Sequence, residues 1–442
     1  MNKENASFPT LRLSEWESGL LEGVSLSTRD QRLKQELEQG DEGRLIVDDL
    51  RSGVRAKAGS WVGVVRFERF EIQVTPKLAG ENLGLVRMIE FATGLDALRR
   101  GSSSRTLHAE GIGLFDLLAL LLAEASEAIL RAGLLSDYVE REDDLPVIRG
   151  RLLGDQQILR RFGMVDRLAC RFDEHEQNIV ENQLLAVALG QCATRTIHES
   201  VRRRVRRLLS IFQDVCLDLA AARDQITYNR LNEHYRDAHA LAWLLLDGLG
   251  TQEIFVSGNT RCFAFLIDMN RLFEMFVYRL IQKVFQGGGY RVHYQRGDRS
   301  IILNASTNQP YARVVPDVLV EKVGTVPLAR VSVDAKYKLY DERKLGSGDV
   351  YQGFLYAYAF GPNSNEALPL AVLVYPSSTK TNQTLRLRIR SAQSLAAAEI
   401  LALGLSIPDA IAEVTQGARG PATQALIDAI HQGLVGLLRC SA

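Results

Sequence analysis

Three residues define the chemistry this chain could carry out. Asp317 follows Pro316 at the head of the apolar run Val318-Leu319-Val320. After sixteen intervening residues, the run Val331-Ser332-Val333 leads into Asp334-Ala335-Lys336. If both runs are strands, Asp334 and Lys336 stand at i and i+2 and project from one face. A hairpin between the runs would then bring Asp317 beside them. Two adjacent carboxylates repel each other, and a divalent cation relieves that repulsion. Mg²⁺ prefers oxygen ligands and commonly takes one or two carboxylates together with water and a substrate phosphate. Such a centre orients a water and stabilises charge on a phosphodiester during in-line attack. Lys336 would be the donor beside the water or the phosphate. The structural alternative is a surface acid and an unrelated Asp-Lys pair at the end of a strand.

Elements flank this constellation on both sides. Phe263 to Phe285 is apolar enough to be read as one helix carrying Glu274, ended by Gly287-Gly288-Gly289. Strands are expected at Tyr290–Gln295, Ser300–Leu303, Val314–Val320 and Leu328–Asp334. A helix follows at about Asp349–Phe360, with Gln352 and Tyr356 one turn apart at i and i+4. Strands at Leu370–Tyr375 and Thr384–Ile389 complete an α/β order. The alanine- and leucine-rich tail from about Ser391 reads as helix. Upstream, Leu45-Ile46-Val47, Trp61 to Phe67 and Phe70 to Val74 are β-like, the last by its period of two. Helical patterns run from Leu83 and from Leu114 to Leu134, and again over residues 176–250, after a polar link from Tyr138 to Pro146.

The spacing of Asp317, Asp334 and Lys336 is that of the PD-(D/E)XK nucleases, and the surrounding text resembles the McrC family, the nuclease subunits of modified-cytosine restriction systems. Phe265 to Glu274 is similar to the family's helix before the nuclease core. Pro316-Asp317 and Val333-Asp334-Ala335-Lys336-Tyr337-Lys338 are similar to its catalytic strands. Asp349-Val350-Tyr351-Gln352 with Tyr356-Ala357-Tyr358-Ala359 resembles the following helix, and Leu373-Val374-Tyr375-Pro376 the last core strand. Val147-Ile148-Arg149-Gly150-Arg151, Glu181-Asn182-Gln183-Leu184-Leu185, and Trp61 to Val65 with Thr75-Pro76-Lys77 extend the likeness over most of residues 45–390.

The resemblance implies a Mg²⁺-dependent DNA endonuclease, with Mn²⁺ a possible substitute. Its catalytic residues would be Asp317, Asp334, Lys336, Glu274 and Gln352, and its metal ligands Asp317, Asp334 and Glu274. It further implies a hexameric McrB-like AAA+ GTPase partner, whose GTP hydrolysis the N-terminal part stimulates, and double-stranded DNA whose modified cytosine the partner reads. The chain has no GxxxxGK[ST] sequence for nucleotide binding of its own. The expected layout is α+β and α/β in several domains: a β-rich domain at 1–110, a mainly helical region at 111–254, a PD-(D/E)XK domain at 255–390 and a helical tail at 391–442. Readings of another class are a catalytically silent adaptor of an AAA+ partner or a stand-alone repair nuclease.

The bulk properties agree with a large soluble protein. The chain has 442 residues, 46% of them hydrophobic and 24% charged, which favours packed domains over disorder. Lys+Arg and Asp+Glu both total 53, which excludes a uniformly basic nucleic-acid binder but leaves room for a local basic groove. Cys170, Cys192, Cys216, Cys262 and Cys440 form no CxxC pair, so reduced thiols and a cytoplasmic setting are expected. The N-terminus shows no apolar leader. The run Ile112 to Leu122 contains Asp116 and is too short to span a bilayer, so no membrane association is expected. Arg202-Arg203-Arg204-Val205-Arg206-Arg207 is either a phosphate- or partner-contacting face or a solvated helix face paired with Glu199. His234 and His239, five apart, lack the i, i+4 metal spacing. Met269 and Met275 read as core.

Overall fold

The computed structural model describes residues 8–38, 44–77, 81–94, 113–162, 164, 166–212, 219–249, 262–324, 329–338, 340–361, 367–378, 384–390, 396–417, 419–435 and 437–438. The fold is mixed α+β and divides into two compact units. One joins residues 1–96 to 264–442, and the other is 97–263. The β-rich N-terminal segment and the C-terminal third are therefore parts of one body, where the sequence suggested consecutive domains. Among the described residues no helix is long and apolar enough to cross a membrane.

The N-terminal segment contains β1 (Thr10–Ser14), β2 (Ser18–Glu22), α1 (Thr28–Leu37), β3 (Leu45–Leu50), β4 (Gly53–Ala58), β5 (Trp61–Arg66), β6 (Glu71–Thr75) and α2 (Glu81–Thr93). Strands β2, β4 and β3 form one antiparallel sheet. In the other sheet β1 runs parallel to β6, and β5 runs antiparallel to β6. Val62, Val65, Phe67, Phe70 and Ile72 are completely buried, with β5 covered on both faces, the burial that makes these short β-branched runs strands.

The unit of residues 97–263 holds α3 (Leu114–Ala132), β7 (Asp137–Leu145), β8 (Arg151–Leu152), α4 (Gly154–Arg161), β9 (Leu168–Glu176), α5 (Val180–Arg195), α6 (Glu199–Leu209), α7 (Leu219–Gln225) and α8 (Arg236–Leu249). The stretch expected as a polar link is strand β7, paired antiparallel with β9 over its whole length. Its exposed faces take charged residues, and cross-strand pairs such as Arg171–Glu142 (2.6 Å) replace apolar packing. In α6, Arg204 bonds Glu124 and Glu127 of α3, while Arg202 and Arg203 pair with Glu199. Three of the five arginines in the basic run are thus internally paired, as the solvated-face reading expects. His239 is buried between the Tyr228 hydroxyl and the Glu181 carbonyl, and burial lowers its pKa to about 4. Cys170, Cys192 and Cys262 are free thiols; Cys216 and Cys440 lie outside the described residues.

The chain then re-enters the first unit through β10 (Phe263–Asp268), which joins the N-terminal sheet beside β5. This corrects the single helix expected from Phe263. Phe263 to Ile267 are buried throughout, and a strand covered on all sides is as uniformly apolar as a buried helix. Helix α9 (Met269–Val284) begins only after Asp268, whose carboxylate accepts from the Asn270 and Arg271 amides as an N-cap. Next come β11 (Tyr290–Tyr294), the ribbon β12 (Asp298–Leu303) and β13 (Pro310–Val314), β14 (Val318–Lys322), β15 (Arg330–Ala335), α10 (Ser347–Phe360), β16 (Ala367–Leu368), β17 (Leu370–Pro376), β18 (Thr384–Arg390), β19 (Ala396–Leu405), α11 (Ile407–Thr415), α12 (Pro421–Val435) and β20 (Leu437–Leu438).

Six of these strands form one mixed sheet in the order β11-β14-β15-β17-β19-β18. Helix α10 covers one face and packs Tyr356, Ala357 and Phe360 against Leu319, Ala371 and Ala398. On the other face Gly433 of α12 lies against Val331. The tail expected as helix contributes β19, between β17 and β18. Covered on both faces, β19 carries the run Ala396-Ala397-Ala398-Glu399-Ile400-Leu401 with no period of two to reveal it. Only α11 and α12 match the helical expectation, and residues 391–395 lie outside the described set.

Gly63 is where the N-terminal sheet closes on β10. Its φ is +150°, and a β-carbon there would lie 2.0 Å from the Phe265 carbonyl oxygen. Gly63→Ala is expected to lower stability by about 3 kcal/mol, read as a shift in the urea midpoint. An unchanged midpoint would remove this junction from the fold's requirements.

Candidate active site

The hairpin expected from the sequence is present. β14 and β15 pair antiparallel with Val318 opposite Val333, and β15 continues parallel to β17. By alternation Leu319, Ser332, Asp334 and Leu373 share the face that α10 covers. Asp317, just before β14, reaches across to the end of β15, and its Oδ2 accepts the Ala335 amide hydrogen at 2.8 Å. Lys336 Nζ lies 3.0 Å from Asp334 Oδ2 and 3.3 Å from Oδ1. Asp317, Asp334 and Lys336 therefore meet at one end of the sheet.

Burial gives the cluster its electrostatics. Asp334 is 2% exposed, and its Oδ2 accepts no well-directed hydrogen bond despite the nearby ammonium. Burial first, then the Asp317 charge, pushes the Asp334 carboxyl up to about 7. Burial also raises Asp317, against the pull of the Ala335 amide and reinforced by Glu274. Burial alone would lower Lys336, but Asp334, Asp317 and Asp349 outweigh it and raise it. The neighbouring carboxylates thus favour the ammonium form of Lys336.

Glu274 projects from α9 near this group. Its Oε2 accepts from Gln295 Nε2 at 3.1 Å, and burial raises its pKa, with Lys336 opposing and Asp334 adding to the rise. Among the described residues no three His, Cys, Asp or Glu side chains are grouped closely enough to hold a metal ion together. Asp317 and Asp334 form the close pair, and Glu274 stands within electrostatic reach of it. One buried and one half-buried carboxylate side by side suit a small hard cation, which needs only one or two protein carboxylates.

Gln352 sits one step further out. Its Nε2 donates to the Tyr356 hydroxyl at 2.8 Å, and that hydroxyl donates to the Val315 carbonyl at 2.7 Å. The pair expected to flank the site thus clamps the chain two residues before Asp317. The sequence reading missed Gln295. Its backbone N–H donates to the Asp317 carbonyl at 2.9 Å while its side chain holds Glu274, and its φ is +45°. A non-glycine residue held left-handed between two acids is a mark of an over-determined site, but nothing in the local sequence announces it. The tie to the N-terminal segment was also missed. The Tyr337 hydroxyl, next to Lys336, donates to buried Glu15 Oε2 at 2.9 Å, and the same oxygen accepts the Lys77 amide hydrogen at 2.7 Å. Asn270 Nδ2 donates to Ser60 Oγ at 2.8 Å, so α9 is anchored to the same segment.

The family model described as McrBC 5-methylcytosine restriction system component matches residues 56–376. The chain belongs to this McrBC family. The matched span includes every candidate residue of the site. Among solved structures, a chain of the refined half-complex from a tetradecameric assembly of Thermococcus gammatolerans McrB AAA+ hexamers with bound McrC is similar at TM-score 0.63 and 19% identity, over 96% of this chain and 100% of that one. That likeness is one of fold. A cryo-EM structure of the Thermococcus gammatolerans McrBC complex matches at TM-score 0.47 and 20% identity, over 62% of this chain and 88% of that one. No curated protein sequence matches the chain.

The raised Asp334 pKa makes the metal-free McrBC-family chain sensitive to pH. A carboxyl raised on folding stabilises the protein below its unfolded value near 3.8, and this contribution is lost as pH rises through about 7. Without divalent cations the melting temperature is expected to fall between pH ~5 and ~7 and to level off above, and Asp334→Asn should remove most of that fall. A wild-type curve that is flat in this range would contradict the buried-pair electrostatics.

Proposed function

We propose that this chain is the DNA endonuclease subunit of a GTPase-dependent McrBC-type restriction system, hydrolysing phosphodiesters with Mg²⁺ in a PD-(D/E)XK-type site. The observation that carries the reading is the convergence of Asp317, Asp334 and Lys336, with an ammonium 3.0 Å from a carboxylate whose other close neighbour is a second carboxylate. Antiparallel β14 and β15 with flanking helices are the setting the PD-(D/E)XK pattern requires.

In this reading Asp317 and Asp334 would hold Mg²⁺, or Mn²⁺ in its place, with Glu274 adding negative charge nearby. The ion, when bound, supplies Lewis-acid charge for the scissile phosphate and its nucleophile. The chain's own residues do the rest. Lys336, kept protonated by Asp334 and Asp317, donates to a phosphate oxygen or the attacking water and stabilises the charge that grows in the transition state. Ala335 N–H fixes the Asp317 carboxylate, so its oxygens need not reorganise as the substrate enters. Gln352, through Tyr356, holds the Val315-Pro316 approach to Asp317 and thus positions without touching substrate. Gln295 restrains Glu274.

The partner assignment is part of the same proposal. A hexameric AAA+ GTPase would supply motor activity and modified-cytosine recognition on double-stranded DNA, and this chain would stimulate its GTP hydrolysis. Family membership and the fold shared with a McrB-McrC assembly support this reading, as does the lack of a nucleotide-binding loop in the sequence. A cytoplasmic setting fits such a system.

Asp334→Ala in the complex with the GTPase is expected to reduce Mg²⁺-dependent cleavage by at least about 10³-fold, the scale of removing a principal transition-state stabiliser, while GTP hydrolysis remains stimulated. Cleavage that persists would place the chemistry elsewhere. Loss of both activities in a chain with an unchanged melting profile would contradict the separation of roles.

A further inference from the structure

The ribbon β12–β13 is inserted within the candidate site itself. It leaves the sheet after Gln295 and returns to it at Asp317, and these two residues are bonded to each other, amide to carbonyl, at 2.9 Å. Whatever the ribbon touches is therefore delivered to the carboxylate pair. The ribbon is also rigidly seated. Ile302 opposes Ala312 and Asp298 opposes Val314. Ile301 and Ile302 pack on the cluster built around Val314 and α10, and Val315 is held by the Tyr356 hydroxyl. At the tip, the Asn304 side chain accepts from the Ser306 and Thr307 amides at 2.9 and 3.2 Å, which orders the turn.

The other face of the ribbon is open and basic. Tyr311 is 77% exposed, and Arg313, at i+2, shares its side of the strand. Arg299 is exposed on β12. Between Tyr290 and Pro316 there are four arginines, Arg291, Arg296, Arg299 and Arg313, against one acid, Asp298, in a chain whose charges balance overall. Among the described residues neither Arg299 nor Arg313 forms an ion pair. The Arg313 side chain lies against Gly297. A β-carbon at that position would lie 2.0 Å from Arg313 Nε, so a residue without one lets the guanidinium lie across the root of the ribbon, two residues from Gln295. Planar guanidinium groups recognise phosphate by paired hydrogen bonds. A tyrosine beside them can donate to backbone oxygens, and a two-stranded ribbon is narrow enough to follow a DNA groove.

We propose that the β12–β13 ribbon, through Arg299, Tyr311 and Arg313, is the arm by which this chain grips the sugar-phosphate backbone of duplex DNA next to the Asp317–Asp334 site. The proposal rests on the nuclease reading above and specifies the surface that reading leaves open. The arm acts in binding alone and touches neither the carboxylates nor Lys336.

The test is fluorescence anisotropy of the full chain with a short labelled duplex, in Ca²⁺ and over a series of salt concentrations. Arg299→Ala combined with Arg313→Ala is expected to weaken binding about tenfold and to make the salt dependence shallower by about two in log–log slope, near the ~0.9 expected per lost phosphate contact. Mn²⁺ binding, followed by electron paramagnetic resonance, and the melting temperature should stay at wild-type values. Arg206→Ala with Arg207→Ala, the same loss of charge on α6, should leave DNA binding unaltered. Tyr311→Ala, at full charge, should weaken binding severalfold with an unchanged slope. Wild-type affinity and slope in the Arg299/Arg313 variant would overturn the proposal while leaving the nuclease reading intact, provided wild-type chain cuts DNA. Equal losses in both double variants would reduce the effect to net charge and overturn it too. A wild-type chain with no affinity for duplex would overturn the arm, while cleavage by the complex would still test the nuclease reading separately. If the ribbon variant bound DNA normally but lost stimulation of the GTPase, the ribbon would be a protein-docking surface and the proposal would fail.

Discussion

Two like charges held together out of water constrain everything else in the C-terminal half. Asp317 and Asp334 come from neighbouring antiparallel strands, and Asp334 is almost fully buried. Left alone, such a pair is unfavourable and gives up a charge by keeping a proton. The structure compensates with one ammonium at contact distance and one backbone amide. The surrounding bonds keep this unfavourable arrangement from relaxing. The clamp through Gln352 and Tyr356 fixes one side of Asp317, and the left-handed Gln295 fixes the other.

The same constraint explains why the N-terminal segment belongs to this unit. Lys336 leaves the sheet into a loop, and a loop alone would give its amine too much freedom. Tyr337 supplies the missing restraint. It stacks near Trp16 and Phe273, with ring centroids 5.7 Å from each, and bonds Glu15 in the corner after β1. The helix bearing Glu274 is pinned to Ser60 on the same segment. Elements that resemble a separate β-domain in sequence are thus the scaffold of the site, and residues 97–263 are an insertion between two parts of one body.

Much of the site was legible because its signals are local. The spacing of Asp317, Asp334 and Lys336 with strand alternation was enough to predict their meeting, and β14, β15, α10 and β17 lie within a few residues of their expected limits. Illegible parts depended on burial that periodicity cannot register. β10 and β19, covered on all sides, looked like helices, and the solvated β7 looked like a link. The i, i+4 spacing of Gln352 and Tyr356 was legible, but not that Tyr356 carries their contact on to the Val315 carbonyl, 41 residues away. The roles of Gln295 and Glu15 follow from contacts across 22 and 322 residues, from Gln295 to Asp317 and from Glu15 to Tyr337, which no window along the sequence can connect.

The position of β10 and β19 also sets a timetable for synthesis. As the ribosome releases the chain from its N-terminus, β5 emerges with an open edge, and its partner β10 follows only after some two hundred further residues. An uncovered strand edge of that kind invites wrong pairing, which makes this stage the natural moment for a chaperone. The sheet that carries the acidic pair lacks its fifth strand until residue 405 has appeared. A chain that stops before that residue therefore lacks the strand that pairs with both β17 and β18.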